Sequence, residues 1–178
     1  MQKQTLTFII ILLLAPTCLL AQDGMSQWRN NLQLELGGHG LFYSLNYEHV
    51  FLNADRLKTT AQAGIGAYPV STGIMPFWFP VSVNQLLSFG NHHLELGAGM
   101  VPALSGTMDT NNEMEDWYWM VFLSGRVGYR YQKPGGKFLI RAGFTPLLEV
   151  SWLDFSNGSN LSLPEWHPLG AVSFGYCF

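Results

Sequence analysis

The chain ends in the stretch AVSFGYCF, residues Ala171 to Phe178, in which apolar or aromatic side chains occupy every second position from Val172 onward. Such alternation indicates a β-strand, because successive side chains of a strand point to opposite faces. The stretch contains neither a charge nor a proline. In water, an uncharged strand of this kind at a sheet edge is prone to aggregate. The stretch therefore indicates that one face of this strand meets a solvent other than water.

The composition of the whole chain is also unusual for a water-soluble protein. Of its 178 residues, 48% are hydrophobic and 14% aromatic, whereas only 12% are charged. Soluble domains carry roughly 25% charged residues. The formal net charge of −3 excludes a broad basic surface, so nucleic acid is not an expected partner. The length suffices for one domain with a full core.

Residues 1–21 have the features of a signal peptide. Lys3 provides a positive N-terminal region, Leu6–Leu14 is an apolar run, and Ala21 is a small residue at a candidate cleavage point. The apolar run is shorter than the about 20 residues that a membrane-spanning helix needs, which favours removal over retention as an anchor. We therefore predict an exported chain in which residues 22–178 form a single domain.

Alternating apolar rows recur along the rest of the chain. In the row from Trp117 to Tyr131, large side chains occupy the odd positions, while Arg126 and Arg130 lie on the opposite face. The predicted strands of this kind are 57–69, 77–89, 92–105, 117–132, 137–152 and 166–178. Short turns and longer loops alternate between them, which is typical of an up-and-down antiparallel meander.

The number of strands depends on the segment from Asn31 to Phe51. Its apolar positions are even before Gly37 and odd after Gly40. Two strands joined by a tight glycine turn explain this change of phase and bring the total to eight. One long strand with a glycine bulge is the alternative and gives seven segments. A closed antiparallel sheet in which consecutive strands pair needs an even number, so we predict a closed all-β barrel of eight strands.

The face opposite the apolar rows carries charges of both signs. These residues form the predicted lumenal charge network: Glu35, Glu48, Glu95, Arg126, Arg130, Arg141 and Glu149. In a secreted, lipocalin-like carrier barrel the apolar rows would point inward around a ligand, and these charges would be the outer surface. They are too few for a soluble surface. A mixed set can neutralise itself inside a barrel whose apolar face meets lipid, which favours a transmembrane barrel.

Aromatic residues cluster at the two ends of the apolar rows. At the long-loop end the predicted girdle comprises Phe77, Phe79, Trp117, Trp119, Trp152 and Trp166, and at the short-turn end Phe89, Tyr129, Tyr131, Phe138 and Tyr176. Amphipathic rings favour the lipid–water interface. Ten strand steps separate Trp119 from Tyr129, and a tilt of about 40° reduces their span to roughly 25 Å, the height of an outer-membrane apolar band.

Because of these alternating rows, inner charges and aromatic girdles, the chain from residue 22 onward resembles the small eight-stranded outer-membrane β-barrels of Gram-negative bacteria. Its last strand resembles their C-terminal assembly signal at Val172, Phe174, Tyr176 and Phe178. The resemblance implies that the barrel-insertion machinery recognises this strand and that the strand closes against the first one. It also implies an outer-membrane location, in contact with membrane lipids and lipopolysaccharide.

The sequence contains no pattern typical of a metal or cofactor site, and none is expected. Lipid A-modifying enzymes exist on the fold that this chain resembles, and the deacylases among them use serine and histidine near the outer rim. In this chain the rim histidines would be His39 and His167, but the His-x-Ser motif of that family is absent. Eight strands leave an interior that side chains fill. We therefore predict a non-enzymatic barrel with a plugged, charged lumen, acting in envelope structure or in partner binding through its long loops. A lipocalin-like carrier and a lipid A-modifying enzyme are the alternatives.

Overall fold

A computed structural model describes residues 28–54, 56–67, 77–108, 114–150 and 165–178. The strands are β1 (Asn30–Gly37), β2 (Tyr43–Asn53), β3 (Leu57–Ala67), β4 (in two segments, Phe77–Trp78 and Val81–Phe89), β5 (His92–Met108), β6 (Met114–Gln132), β7 (Phe138–Glu149) and β8 (Trp166–Cys177). The predicted signal peptide, residues 1–21, lies outside the described residues. Within the described ranges, no helix has the length and apolar character needed to cross a membrane.

The strands form a closed antiparallel barrel. Each strand pairs with the next along the chain, and β1 also pairs with β8, where Leu34 lies opposite Phe174. The predicted eight-stranded, up-and-down fold is therefore confirmed. Strand β4 is interrupted at Phe79 and Pro80, because proline has no backbone N–H to donate to a neighbouring strand.

The connection between β1 and β2 settles the strand count. A 3-10 turn at Gly38–Gly40 reverses the chain, and its three residues are buried. Gly37 and Gly38 have φ angles of +72° and +61°, which glycine adopts without a steric penalty. The turn contacts β3, β7 and β8 as well as its own two strands, so it folds inward into the lumen. The alternative of a single bulged strand is wrong.

Burial alternates along the strands as the sequence pattern predicts. On β8, Ala171, Ser173 and Cys177 are buried inside the barrel, whereas Phe174 and Tyr176 are about half exposed on the outside. The C-terminal stretch thus turns its large side chains outward. Its backbone pairs with β1 on one side and β7 on the other, so the closed barrel leaves no free edge there.

The lumen has two chemically different halves. The half toward the short turns contains charged and polar side chains. The half toward the long loops contains an apolar cluster, with Leu41, Met120 and Leu169 packed against a buried centre of Trp78, Val101, Ala103, Phe122 and Leu147. Except for Leu41, these residues occupy inner-face positions of the alternation; Leu41 has the parity of the outward row and packs inside because it directly follows the inward turn. The alternation predicted a polar lumen, so the apolar half is a correction.

Gly37 provides a test of the inward turn. A Cβ at this position would lie 2.2 Å from the backbone carbonyl oxygen of Gly170 on β8, in a conformation with φ +72° and ψ −154° that is essentially restricted to glycine. We expect Gly37→Ala to lower the free energy of unfolding, measured by urea titration of the detergent-folded barrel, by roughly 2 kcal/mol or more.

Gly90→Ala is the matched control for this substitution. Gly90 also has a positive φ, +66°, but a Cβ there would meet nothing within 4 Å. Gly90→Ala should therefore lower the free energy of unfolding only by the backbone penalty of about 1 kcal/mol. Equal losses for the two variants would contradict the packed inward turn.

Candidate functional site

An ion-pair network fills the half of the lumen toward the short turns, which we call the lower lumen. It lies between the inner faces of five strands. Its members come from β1 and β2 (Glu35, Glu48), from β5 (Glu95), and from β6 and β7 (Arg126, Arg130, Arg141). Every one of them is at most 3% exposed. Three carboxylates face three guanidinium groups, so the set is formally neutral. We call these six residues the lumenal network.

Glu35 is bound by two arginines from strands that are not its neighbours. Its Oε2 lies 2.7 Å from Arg126 Nη2 and 2.6 Å from Arg141 Nη2. Ser173 Oγ donates to the same oxygen, and the backbone N–H of His39 donates to Oε1 at 3.0 Å. The inward turn between β1 and β2 is thus attached to the network through Glu35.

Glu95 is the central acid, because it contacts all three arginines. Its Oε1 lies 3.1 Å from Arg141 Nη1 and 3.7 Å from Arg126 Nη1, and its Oε2 lies 3.1 Å from Arg130 Nη2. Each of these arginines also contacts a second carboxylate. Removing Glu95 or any one of the three arginines therefore leaves at least two opposite charges with fewer partners.

Glu48 occupies the part of the network nearest the short turns. Arg130 Nη2 lies 2.8 Å from its Oε1, to which Thr60 Oγ1 also donates. Asn31 and Gln33 donate side-chain amide hydrogens to its Oε2. A buried carboxylate needs such a full set of donors, since an unpaired buried charge costs several kcal/mol. Neutral polar side chains thus supply the hydrogen-bond donors to Glu48 that the arginines do not provide.

The lumenal network and its neighbours still contain polar atoms that lack a hydrogen-bond partner among the described residues. Arg126 Nε, His39 Nε2 and Gln62 Nε2 are buried atoms of this kind. Buried polar groups are usually satisfied by protein or by ordered water. The lower lumen therefore has the polarity to hold a few ordered water molecules between its charged side chains.

The sequence predicted seven network residues, and the structure brings six of them together. Glu149 lies on the inner face, as its position in the alternation indicates, but at the long-loop end of β7. There its carboxylate groups with Glu165 and His167 rather than with the arginines. Alternation identifies which face a side chain occupies, but the height along the barrel depends on strand register, which the pattern alone did not specify.

His39 lies beside the lumenal network and not at the rim, where the sequence predicts it. It is 1% exposed inside the lumen. Its Nδ1 lies 2.9 Å from Arg126 Nη2. The flanking glycines were the available signal, because a turn of Gly37, Gly38 and Gly40 can fold into a space that larger residues could not enter.

The predicted aromatic girdles lie on the outer face where the structure describes them. At the short-turn end, Phe89, Tyr129, Phe138 and Tyr176 are exposed, and Tyr131 is half-buried; at the long-loop end, Trp117, Trp119 and Trp166 are exposed, and Phe77 and Phe79 are half-buried. Trp152 lies outside the described residues. Phe79 packs on Trp119, and Phe138 on Tyr176, with ring centroids 6.1 Å and 5.7 Å apart. Outward aromatic pairs thus occur at both ends of the barrel.

Comparison with solved structures supports the fold. The chain is similar to the crystal structure of the N-terminal β-barrel domain of OprF from Pseudomonas aeruginosa, with a TM-score of 0.56 and 10% sequence identity. The alignment covers 88% of this chain and 100% of that domain. No family model matches the sequence, and no curated protein matches it. The chain therefore has the fold of an eight-stranded outer-membrane β-barrel.

Arg130 tests whether the lumenal network stabilises the barrel. Arg130→Ala would leave Glu48 and Glu95 buried with fewer positive partners. Breaking a buried ion pair typically costs about 3–5 kcal/mol, and we expect a loss of that size in urea unfolding of the detergent-folded protein.

Arg56→Ala is the matched control, because Arg56 is exposed at the same end of the barrel. It should change the unfolding free energy by less than about 0.5 kcal/mol. The double variant Arg130→Met with Glu48→Gln should recover part of the loss, since it removes opposite charges together. Equal stabilities of Arg130→Ala and Arg56→Ala would contradict a stabilising network.

Proposed function

We propose that the protein is a non-enzymatic integral barrel of the outer membrane of a Gram-negative bacterium, with a lumen that is closed to solutes. The observation that carries this proposal is the sidedness of the barrel. Its large apolar side chains are exposed on the outside, and its buried charges are paired within.

The outer surface supports a lipid environment. Every strand contributes at least one apolar side chain that is 47–60% exposed; one example from each strand in order is Leu34, Leu45, Ile65, Val83, Leu96, Val127, Ile140 and Phe174. Soluble monomers rarely expose contiguous apolar patches larger than a few hundred Å². A belt that continues around the whole barrel is better matched by acyl chains, with the aromatic girdles at the two interfaces.

The inner surface argues against a lipocalin-like carrier. Such a barrel turns its apolar rows inward to enclose a ligand. Here the rows point outward, and the described lumen contains the lumenal network in one half and the packed cluster around Trp78 and Phe122 in the other. An apolar ligand would have to displace one of these two sets of buried side chains.

Three features together support a closed lumen. The lumenal network links non-neighbouring strands across the barrel, the Gly38–Gly40 turn fills space beside it, and the apolar cluster occupies the half toward the long loops. A small ion entering this path would have to separate buried ion pairs. It would then have to pass apolar side chains that cannot replace its hydration shell.

The proposed role is in envelope structure or in binding a partner through the long loops. The partners that this role implies are outer-membrane lipids with lipopolysaccharide, the barrel-assembly machinery during insertion, and a protein that contacts the loops. The non-enzymatic proposal is supported by the position of His39, which is buried against Arg126 of the lumenal network. It is therefore not available beside His167 as a second base at the rim. Lipid A modification and lipid carriage are the competing functions.

Tryptophan fluorescence tests the sidedness directly. The chain has six tryptophans. Trp119 is 62% exposed on the outside, and Trp78 is 4% exposed inside. In variants that retain one tryptophan and carry phenylalanine at the others, lipids brominated near the headgroup should quench Trp119 strongly and Trp78 weakly. Vesicles of unbrominated lipid are the control. Stronger quenching of Trp78 than of Trp119 would favour a carrier with an apolar interior.

Bilayer conductance tests the closed lumen. The purified protein should give no steady single-channel current in planar bilayers. The variant Glu95→Ala removes the acid that contacts all three arginines, so it should give measurable openings if it folds. Heat-modifiable migration on a denaturing gel verifies folding in each sample. A steady current from the unaltered protein would contradict the plugged lumen.

A further inference from the structure

Glu149, Glu165 and His167 form a second polar cluster, which we call the mouth cluster, at the long-loop end of the barrel. Glu149 ends β7, whereas Glu165 and His167 lie at the start of β8. Leu148 pairs with Trp166, and the backbone N–H of Glu149 donates to the carbonyl oxygen of Glu165 at 3.0 Å. The two glutamates are therefore direct cross-strand neighbours.

The strand geometry places all three side chains on one face. Residues two apart on a strand point to the same side, so Glu165 and His167 share a face. The ring of His167 packs edge-on against the inward Phe122, with centroids 6.1 Å apart, which identifies this face as the inner one. One potential ligand atom from each of the three side chains lies within 4.8 Å of the other two.

The charges of the mouth cluster are not balanced as those of the lumenal network are. Among the ion pairs of the described residues, none includes Glu149 or Glu165. Like charges directly opposite each other on neighbouring strands are destabilising. Glu149 and His167 are also half-buried, where screening by water is weaker than on an open surface. This arrangement would be stabilised by a cation.

The donor set indicates which cation would fit. One imidazole nitrogen and two carboxylate oxygens are ligands that zinc accepts, at about 2.0–2.2 Å. Tetrahedral coordination at these lengths separates ligand atoms by about 3.4 Å. Rotation of the glutamate side chains, of which that of Glu165 is exposed, can close the remaining gap. Imidazole among the donors favours a transition metal over calcium or magnesium, which prefer oxygen ligands alone.

We propose that the mouth cluster is a binding site for Zn²⁺ or a similar divalent transition-metal ion, with water completing its coordination. The ion would neutralise two carboxylates that face each other and would join the end of β7 to the start of β8. The lumenal network takes no part in this site, because its carboxylates are already paired with arginine.

Calorimetric titration with Zn²⁺ tests the site. The protein is folded in detergent micelles, stripped with a chelator and titrated. We expect one site per chain, with at least about tenfold weaker binding in Glu149→Gln and in His167→Gln. His92→Gln is the matched control, because His92 is an exposed histidine at the opposite end of the barrel. The affinity of this variant for Zn²⁺ should equal that of the unaltered protein. Unchanged affinity in both mouth variants, or a loss in His92→Gln alone, would overturn the proposal.

Cobalt spectroscopy provides a second readout that does not depend on the size of the binding heat. Co²⁺ at the mouth cluster should give visible d–d absorption bands that are absent in His167→Gln and retained in His92→Gln. Heat-modifiable migration of each variant shows that the barrel is folded. Bands that persist in His167→Gln, or no bands in the unaltered protein, would contradict imidazole coordination. Neither readout depends on membrane location, so this proposal can fail while the proposed function stands.

Discussion

The pairing of β1 with β8 is the constraint on which the rest of the structure depends. It converts a meander with two free edges into a cylinder in which neighbouring strands satisfy each other's backbone groups. In a hydrocarbon solvent an unpaired backbone group costs several kcal/mol, so a sheet can be stable there only when it is closed. Closure also defines an inside and an outside, and with them two different requirements for alternate residues of every strand.

The narrow interior then determines how charge can be placed. An eight-stranded barrel has just enough room for side chains, so a charged group within it cannot keep a full hydration shell. In the lumenal network, ion pairs among three acids and three bases replace the missing hydration. Glu95 contacts all three arginines. The glycine turn folds in beside Glu35, to which the backbone N–H of His39 donates, and occupies part of the interior. Charge, turn and closure are thus parts of one arrangement.

The barrel is chemically divided along its axis. Arginines pair with acids in the half toward the short turns, and apolar side chains fill the half toward the long loops. At its mouth lie a histidine and two glutamates that form no ion pair with another described residue. The same residue type, glutamate, therefore has different chemistry at different heights. Buried beside arginine, a carboxylate is a structural counter-ion; at the mouth, with water within reach, it is a potential ligand.

The sequence by itself determined the strand pattern and which side chains share a face, because the period of two is a local property of the chain; the change of phase at Gly37–Gly40 favoured eight strands over seven, and the structure settled that choice. It also determined that Glu35, Glu48, Glu95, Arg126, Arg130 and Arg141 share one face. It could not determine which of these residues meet, because shear between strands sets their heights, and shear is a property of the closed sheet. Glu149 is an example, since it lies on the predicted inner face but nearer the long-loop end of the barrel than the lumenal network.

Only the tertiary structure decided that His39 enters the lumen, that Trp78 and Phe122 form an inner apolar layer, and that Glu149 meets Glu165 and His167. The first two arrangements join strands that only barrel closure brings together, and the third depends on the register of β7 against β8, which the alternation of side chains does not specify.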